Sequence, residues 1–429
     1  MKQGIQKIRY GIIADDLTGA TDTAAAFASC GFSVAVALDP RRLRSLTAQV
    51  IVLSTHSRNE MPTKARRKVN RACAQLRDGG LSFVYKKLDS TGQGNIVAEV
   101  EAARDAGEFA AALVCPANPV QGRTMRGGVL RVRDGDSVNL LERFRVQGLT
   151  EFSSITSPIS ALKLTQATEQ NRRFIVADAT SERDLAFLVR AVLQSKQRIL
   201  LVGSAGMAGE LAKLLMGSKS ARSNPDGKMP PSRAGRVARC KTLVIAGSNN
   251  PVTERQLEKL IGKTLAASLT LNRHTRRDAT ASLASERHTI IRVPMHHQPD
   301  HAILRLLSAL TPLFLAGHVD SLLLVGGDTA LLVCRFLRPL AIAISGEIVP
   351  GLAWGRFIGG LADGLAVCTK PGGFGSDQSL VRAVNFLARV TAAVSLGETC
   401  ARPPCGFGTS RNHPGGRRSA ATNHTNRTE

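Results

Sequence analysis

Residues 10–24 read YGIIADDLTGATDTA, an apolar run that ends in two adjacent carboxylates and continues into small and hydroxyl-bearing residues. The run YGIIA (10–14) has the length and composition of a buried strand, and the segment from about residue 20 to 30 reads as a helix. A strand followed at once by a helix is the repeating unit of a parallel α/β sheet. Two readings of Asp15 and Asp16 stay open at this point. Asp and Thr at a strand-to-helix turn accept hydrogen bonds from the free N–H groups of the helix's first turn. A carboxylate pair at the carboxyl end of a strand also lies where open α/β sheets bind ligands, and it can divide base and binding roles.

The same plan recurs along the chain. Strand candidates are SVAVAL (33–38), VIVLS (50–54), FVY (83–85), ALVC (112–115), FIVAD (174–178) and ILLVG (199–203). After residue 241 come TLVIAG (242–247), TIIRV (289–293), LLLVGG (322–327), IAIS (342–345) and LAVCT (365–369). Helical patterns lie between them, at 64–78, 95–107, 252–262 and from Gln378 to about Leu396. Continuous apolar strands alternating with helices predict largely parallel sheets covered on both faces, and 429 residues exceed one core. The expected class is α/β with two domains, 1–217 and 242–398. Between them, residues 218–241 form a Ser-, Pro-, Gly- and Arg-rich linker, and 399–429 form a basic, structure-breaking tail.

Composition narrows the function. No apolar run reaches the ~18 residues of a membrane span, and the N-terminus meets carboxylates too soon for a signal peptide, which predicts a cytoplasmic protein. The eight cysteines contain no C-x-x-C pair and sit mostly in apolar runs, as buried hydrophobes do. The formal charge of +24 invites a nucleic-acid reading. That surplus is partly local, because 218–241 holds seven basic residues against one acid and 400–429 holds five Arg against one acid. Aromatics are few, no nucleic-acid-binding signature is present, and anionic small molecules account for the charge as well. His296, His297 and His301 of MHHQPDH lack the carboxylate and thiol partners of a zinc site.

Several strand-to-helix turns carry the chemistry. LLLVGGDTALL (322–332) places Gly326 and Gly327 before Asp328 and Thr329, and TKPGGFGSDQ (369–378) places Gly372, Gly373 and Gly375 beside Lys370. Glycine lets backbone approach a ligand, and the N–H groups of such turns form anion-binding nests. VIAGSNNPVTERQ (244–256) repeats the plan with Ser248 and Thr253. GKT at 262–264 is no P-loop, because the glycine required five positions earlier is Leu257. In the first half, YKKLDSTGQGN (85–95) alternates Lys86 and Lys87 with Asp89, Ser90 and Thr91, and THSR ends in Arg58. Cations pair with an organic carboxylate while Asp and Ser hold hydroxyls, so these loops suit a small polyhydroxylated acid. Arg123 and Arg126 of QGRTMRGG add an anion-friendly loop.

IADDLTGATDTAAAFA, KKLDST, GRT, VGSAGMAGELA, AGSNNPVTERQ, GGDTA and TKPGGFG stand in the order seen in the four-carbon acid sugar kinases, which this chain resembles from about residue 11 to 385. The resemblance implies two α/β domains, an N-terminal sugar-acid domain and a C-terminal nucleotide domain, with the active site in the cleft between them. It implies ATP-dependent phosphorylation of the terminal (C4) hydroxyl of threonate, erythronate or 3-oxo-tetronate, with Mg²⁺ neutralising phosphate charge. Carried over, Asp15, Arg58, Lys87, Asp89 and Ser90 would hold the acid, while Ser248, Gly326, Gly327, Asp328, Thr329, Gly372 and Gly373 would hold ATP. Asp15 or Asp16 would orient or deprotonate the acceptor hydroxyl. No metal ligand is implied at a named residue. Where the family reads DSTLRGN, this chain has Gly92 and Gln93, which removes a guanidinium. A non-catalytic sensor of nucleotide or sugar acid on the same scaffold is the competing reading. The oligomeric state, a homodimer included, is left open by the sequence.

Overall fold

The computed structural model describes residues 9–395 apart from 133–135, 156–163, 165, 168, 171–172, 218–239, 265, 273–274, 285–287 and 295–298. The expected linker therefore lies almost wholly, and the expected tail wholly, outside the described residues, as do His296 and His297. The first half contains strands β1 (Tyr10–Ala14), β2 (Val34–Ala37), β3 (Val50–Ser54), β4 (Ser82–Lys87) and β5 (Ala111–Cys115), the short strands β6 (Thr124–Arg126), β7 (Val129–Arg131), β8 (Ser137–Asn139) and β9 (Ser153–Ile155), then β10 (Phe174–Ala177) and β11 (Ile199–Gly203). Its helices are α1 (Leu17–Ser29), α2 (Pro62–Asp78), α3 (Ile96–Ala106), α4 (Leu140–Val146), α5 (Glu182–Gln194) and α6 (Ala205–Met216). The second half contains β12 (Thr242–Ala246), α7 (Pro251–Lys263), β13 (Ala267–Thr270), α8 (Thr275–Ala284), β14 (Thr289–Arg292) and α9 (Pro299–Leu315). It continues through β15 (Ser321–Val325), α10 (Gly327–Leu337), β16 (Ala341–Glu347), β17 (Ala353–Ile358), β18 (Ala366–Lys370) and α11 (Ser379–Ser395).

Local signals place the helix starts. Asp16 caps α1 by accepting from Gly19 N, Ser181 and Asp184 form a reciprocal capping box on α5, and Pro251 follows the Asn250 cap of α7. The GKT triplet falls at the end of α7, as helix rather than phosphate loop.

With β6, β7 and β8 set apart in a small antiparallel sheet, fifteen strands form one sheet in the order β13-β14-β12-β15-β18-β17-β16-β2-β3-β1-β4-β11-β5-β10-β9. Its pairs are parallel except at β2–β16, β16–β17 and β17–β18. The two expected parallel sheets are thus joined edge to edge, and the join is antiparallel, with Ala35 opposite Ala343 and Val36 opposite Ile342. Three reversals between β2 and β18 make β12, β15 and β18 run opposite to β1, β3 and β4. A twist of about 20–25° per strand pair turns the strands by roughly a right angle over the four steps from β3 to β18. Helix α1 crosses this join. It packs on β16, β2 and β3, and its Thr21 hydroxyl meets the Thr369 hydroxyl of β18 at 2.7 Å. One apolar cluster, from Ile12 and Phe27 through Leu113 to Ile342 and Val367, runs beneath both halves.

Candidate functional site

Asp15 and Asp16 leave the carboxyl end of β1, and their environments separate them. Asp16 is the helix cap: its Oδ1 accepts from Gly19 N at 2.8 Å and from Arg58 Nη2 at 2.8 Å, and its Oδ2 accepts from the Thr18 hydroxyl at 2.6 Å. Burial raises its carboxyl above the usual range, reinforced by the neighbouring Asp15 charge and opposed by Arg58. Asp15 caps nothing. Its Oδ2 accepts from Arg58 Nε at 2.7 Å, and its buried Oδ1 has no protein partner among the described residues. Burial pushes its carboxyl upward, but the Arg58 charge and hydrogen bond, with Lys86 and Lys87, outweigh that and hold it at about 2.

Arg58 is placed from two sides. Ser57 N donates to Asp15 O at 2.9 Å, and Asn95 Nδ2 donates to Ser57 O at 3.0 Å and Glu60 O at 2.7 Å. The guanidinium grips both aspartates, and its Nη1 lies 3.7 Å from Asp89 Oδ1. Asp89 otherwise shapes its own turn, accepting at Oδ2 from Thr91 N at 2.9 Å. Lys87 is buried with Nζ donating to Leu88 O at 2.8 Å, 2.9 Å from where a Cβ on Gly19 would sit. Alternation sends Lys86 to the other face of β4, into a buried pair with Glu99 Oε2 at 2.8 Å. Ser90 accepts from Arg123, whose guanidinium lies 4.4 Å above the Phe374 ring from the second half; Arg126 is exposed and apart.

Gly92 takes φ +73 and packs against Leu130 and Leu140, so the departure from the family pattern coincides with a left-handed turn suited to glycine. Gln93 is exposed, and its N–H donates to Asp89 Oδ2 at 3.3 Å.

The expected nucleotide turns assemble on the other side. Gly326 has φ +106 and opens α10 without a side-chain cap, leaving its first N–H groups unclaimed by a capping side chain. A Cβ at Gly372 would lie 2.2 Å from Ser248 Oγ, one at Gly247 2.0 Å from Thr329 Oγ1, and one at Gly373 3.3 Å from Asn250. Ser248, Gly326, Thr329, Gly372 and Gly373 are therefore brought together, and Asp328 stands exposed in the first turn of α10. The two sets of turns meet. A Cβ on Gly327 would sit 3.2 Å from Asp16 Oδ2 and 3.4 Å from the Thr18 hydroxyl.

Beside this junction, Asp22 of α1 hydrogen-bonds Glu347 at the end of β16, and both line a cavity of about 170 Å³ that also involves Asn118 and Gln121. Burial and then the Asp22 charge push Glu347 up to about 8, and burial raises Asp22. Sequence reading passed over this pair and the Arg123–Phe374 stack. Asp22 lay inside a quoted motif and Arg123 beside glycines, but each partner is more than 200 positions away. Among the described residues no group of three or more His, Cys, Asp or Glu side chains could hold a metal ion. None of their helices is long and apolar enough to cross a membrane.

Comparison with known proteins places each half in a described family. Residues 10–143 and 142–211 match the family model described as a sugar-binding N-terminal domain, and 243–380 match a nucleotide-binding C-terminal domain. The D-threonate kinase of Bordetella bronchiseptica is 33% identical, over 88% of this chain and 97% of the relative. The D-threonate kinase of Salmonella typhimurium is 30% identical over the same shares, 88% and 97%. The 3-oxo-tetronate kinase of Haemophilus influenzae is 26% identical over 86% and 97%. A solved Haemophilus influenzae structure shares the fold with a TM-score of 0.64 at 23% identity, covering 88% of this chain and all of that one. An α/β scaffold with a sugar-binding and a nucleotide-binding domain, matched over most of its length by curated kinases, is that of a kinase, a phosphotransferase drawing on ATP. The chain belongs to the four-carbon acid sugar kinase family.

Proposed function

We propose that this kinase transfers the γ-phosphoryl group of ATP to the terminal (C4) hydroxyl of a four-carbon sugar acid: threonate, erythronate or 3-oxo-tetronate. The observation that carries the reading is the approach of the Gly327 turn to Asp16, which sets a phosphate-type backbone against the carboxylate cluster. The sugar acid occupies the part built from residues 1–217 and ATP the part built from 242–398. In the transfer, the acceptor oxygen bonds to phosphorus, the bridging bond to the β-phosphate breaks, ADP leaves, and the hydroxyl proton passes by way of Asp15 Oδ1 to solvent. Phosphoryl transfer passes through a loose transition state, so positioning and charge outweigh base strength. A carboxylate held at about 2 suits that task, because Asp15 stays ionised and accepts from the hydroxyl through its unclaimed Oδ1. Asp16 serves as helix cap and anchor for Arg58. Lys87 and Arg58 Nη1 supply positive charge for the acid's carboxylate, and Asp89 and Ser90 supply polar groups for its hydroxyls.

Mg²⁺ is bound largely through phosphates and water with one or two carboxylates, and Asp16, beside Gly327, is an oxygen donor of that kind. When bound, the ion neutralises phosphate charge. ADP release by the purified protein with ATP, Mg²⁺ and each of the three acids tests the reading. Turnover on at least one acid is expected; silence on all three defeats it.

A further inference from the structure

Lys370 is the last residue of β18 and is fully buried. Its Nζ lies 2.9 Å from Pro371 O, 2.8 Å from Gly372 O and 3.4 Å from Thr253 Oγ1, so the neutral amine donates its two hydrogens to the carbonyls and the ammonium finds an acceptor for its third in the hydroxyl. The Thr253 hydroxyl in turn donates to Gly372 O at 2.8 Å. A trans peptide sets C=O and N–H on opposite sides of its plane. Drawing the carbonyls of Pro371 and Gly372 inward therefore turns the amides of Gly372 and Gly373 away from the lysine, on a turn flanked by Ser248 and Asn250. Neither amide donates a hydrogen bond within the protein among the described residues. The lysine thus shapes the backbone concavity from behind.

Its electrostatics are incomplete. Among the described residues no carboxylate forms an ion pair with it, and the titratable group that acts on it is the Cys368 thiol of its own strand. From the elements packed against it, α7 presents the Thr253 hydroxyl, and the nearby Arg255 and Asp377 are exposed and pair with each other at 3.4 Å. From β15 and α1 come the neutral Gly326 N–H, which donates to Lys370 O at 2.9 Å, and the Thr21 hydroxyl on Thr369. Burial lowers its ammonium to about 7.

We propose that Lys370 is a positioning residue for the nucleotide, presenting the Gly372 and Gly373 amides to a phosphate, and that nucleotide binding draws a proton onto it. The inference rests on the reading that the Gly372–Gly373 turn holds nucleotide phosphate. A polyanion on the far side of those amides supplies the missing counter-charge and favours the ammonium. At pH 8 a group near 7 is about one-tenth charged, so binding takes up most of one proton.

Titration calorimetry of ADP binding at pH 8, in buffers of different ionisation enthalpy, reads that proton directly. Wild type is expected to take up roughly 0.5–0.9 proton, falling toward zero near pH 6, where the lysine is already charged. Lys370→Met is expected to lose the uptake and to raise KM for ATP about 10–100-fold while kcat changes by only a few fold. Lys370→Arg, which keeps a charge at every pH, is expected to bind without uptake. Nucleotide that binds wild type with no pH-dependent uptake overturns the inference while leaving the nucleotide site standing. Nucleotide that fails to bind wild type at all overturns both. The wild-type measurement decides even if a variant does not fold.

Discussion

At the scale of single residues, two neighbours of one type are set to different work by what surrounds them. Asp16 satisfies a helix N–H group and holds Arg58, whereas Asp15 keeps one oxygen without a partner among the described residues. Asp15→Ala is therefore expected to lower kcat by about 10²–10⁴-fold while ADP affinity stays within a few fold. Steady-state kinetics with direct nucleotide binding checks this; equal losses in both would show that Asp15 serves the nucleotide or the fold. The sequence pointed to the pair but not to its division. Capping and acceptor roles use the same residue type at the same kind of turn, and the distinction comes from Arg58, 42 positions downstream of Asp16. The Asp22–Glu347 contact was beyond sequence reading for the same reason, since its partners belong to different halves of the chain.

At the scale of elements, the strands and helices placed by apolar runs were legible because most runs end in a glycine, an aspartate or a hydroxyl at the next turn. The misses follow from the same rule. β17 reads AWGRFI, where glycine and arginine interrupt the run, and β13 reads ASLT with half its residues exposed. Buried charge also hides from a periodicity argument. Lys86 and Lys87 look alike in sequence, yet β4 sends one toward the acid cluster and the other into a pair with Glu99 of α3. Removing one member of such a pair strands the other charge, so Glu99→Gln should cost about 3–5 kcal/mol in urea unfolding. The double change Lys86→Met with Glu99→Leu should restore most of that loss. A double variant as unstable as the single one would show that packing, not charge, accounts for the cost.

At the scale of the whole molecule, the halves are joined by backbone and also meet through acids. Glu347 keeps exposed surface, but desolvation of its carboxyl and the Asp22 charge raise it to about 8, so its solvent-screened contribution to stability is complete below the ordinary range near 4.3 and is lost as pH rises through about 8. Wild-type Tm should therefore fall by a few degrees more between pH 6 and pH 9 than that of Glu347→Gln, whose amide cannot ionise. Parallel melting curves for the two would refute this account. Two α/β domains were readable from composition, but their fusion into one sheet was not, because β2 and β16 carry no local mark of pairing across some 300 residues. That antiparallel seam limits how the enzyme can open. Lobes spliced through main-chain hydrogen bonds cannot swing apart like jaws, so ligand traffic falls to the turns around the join. Among them, the guanidinium of Arg123 lies 4.4 Å above the ring of Phe374 and links a turn of each half. Parting that stack is a smaller step than parting the seam, since one cation–π contact is weaker than a ladder of main-chain hydrogen bonds.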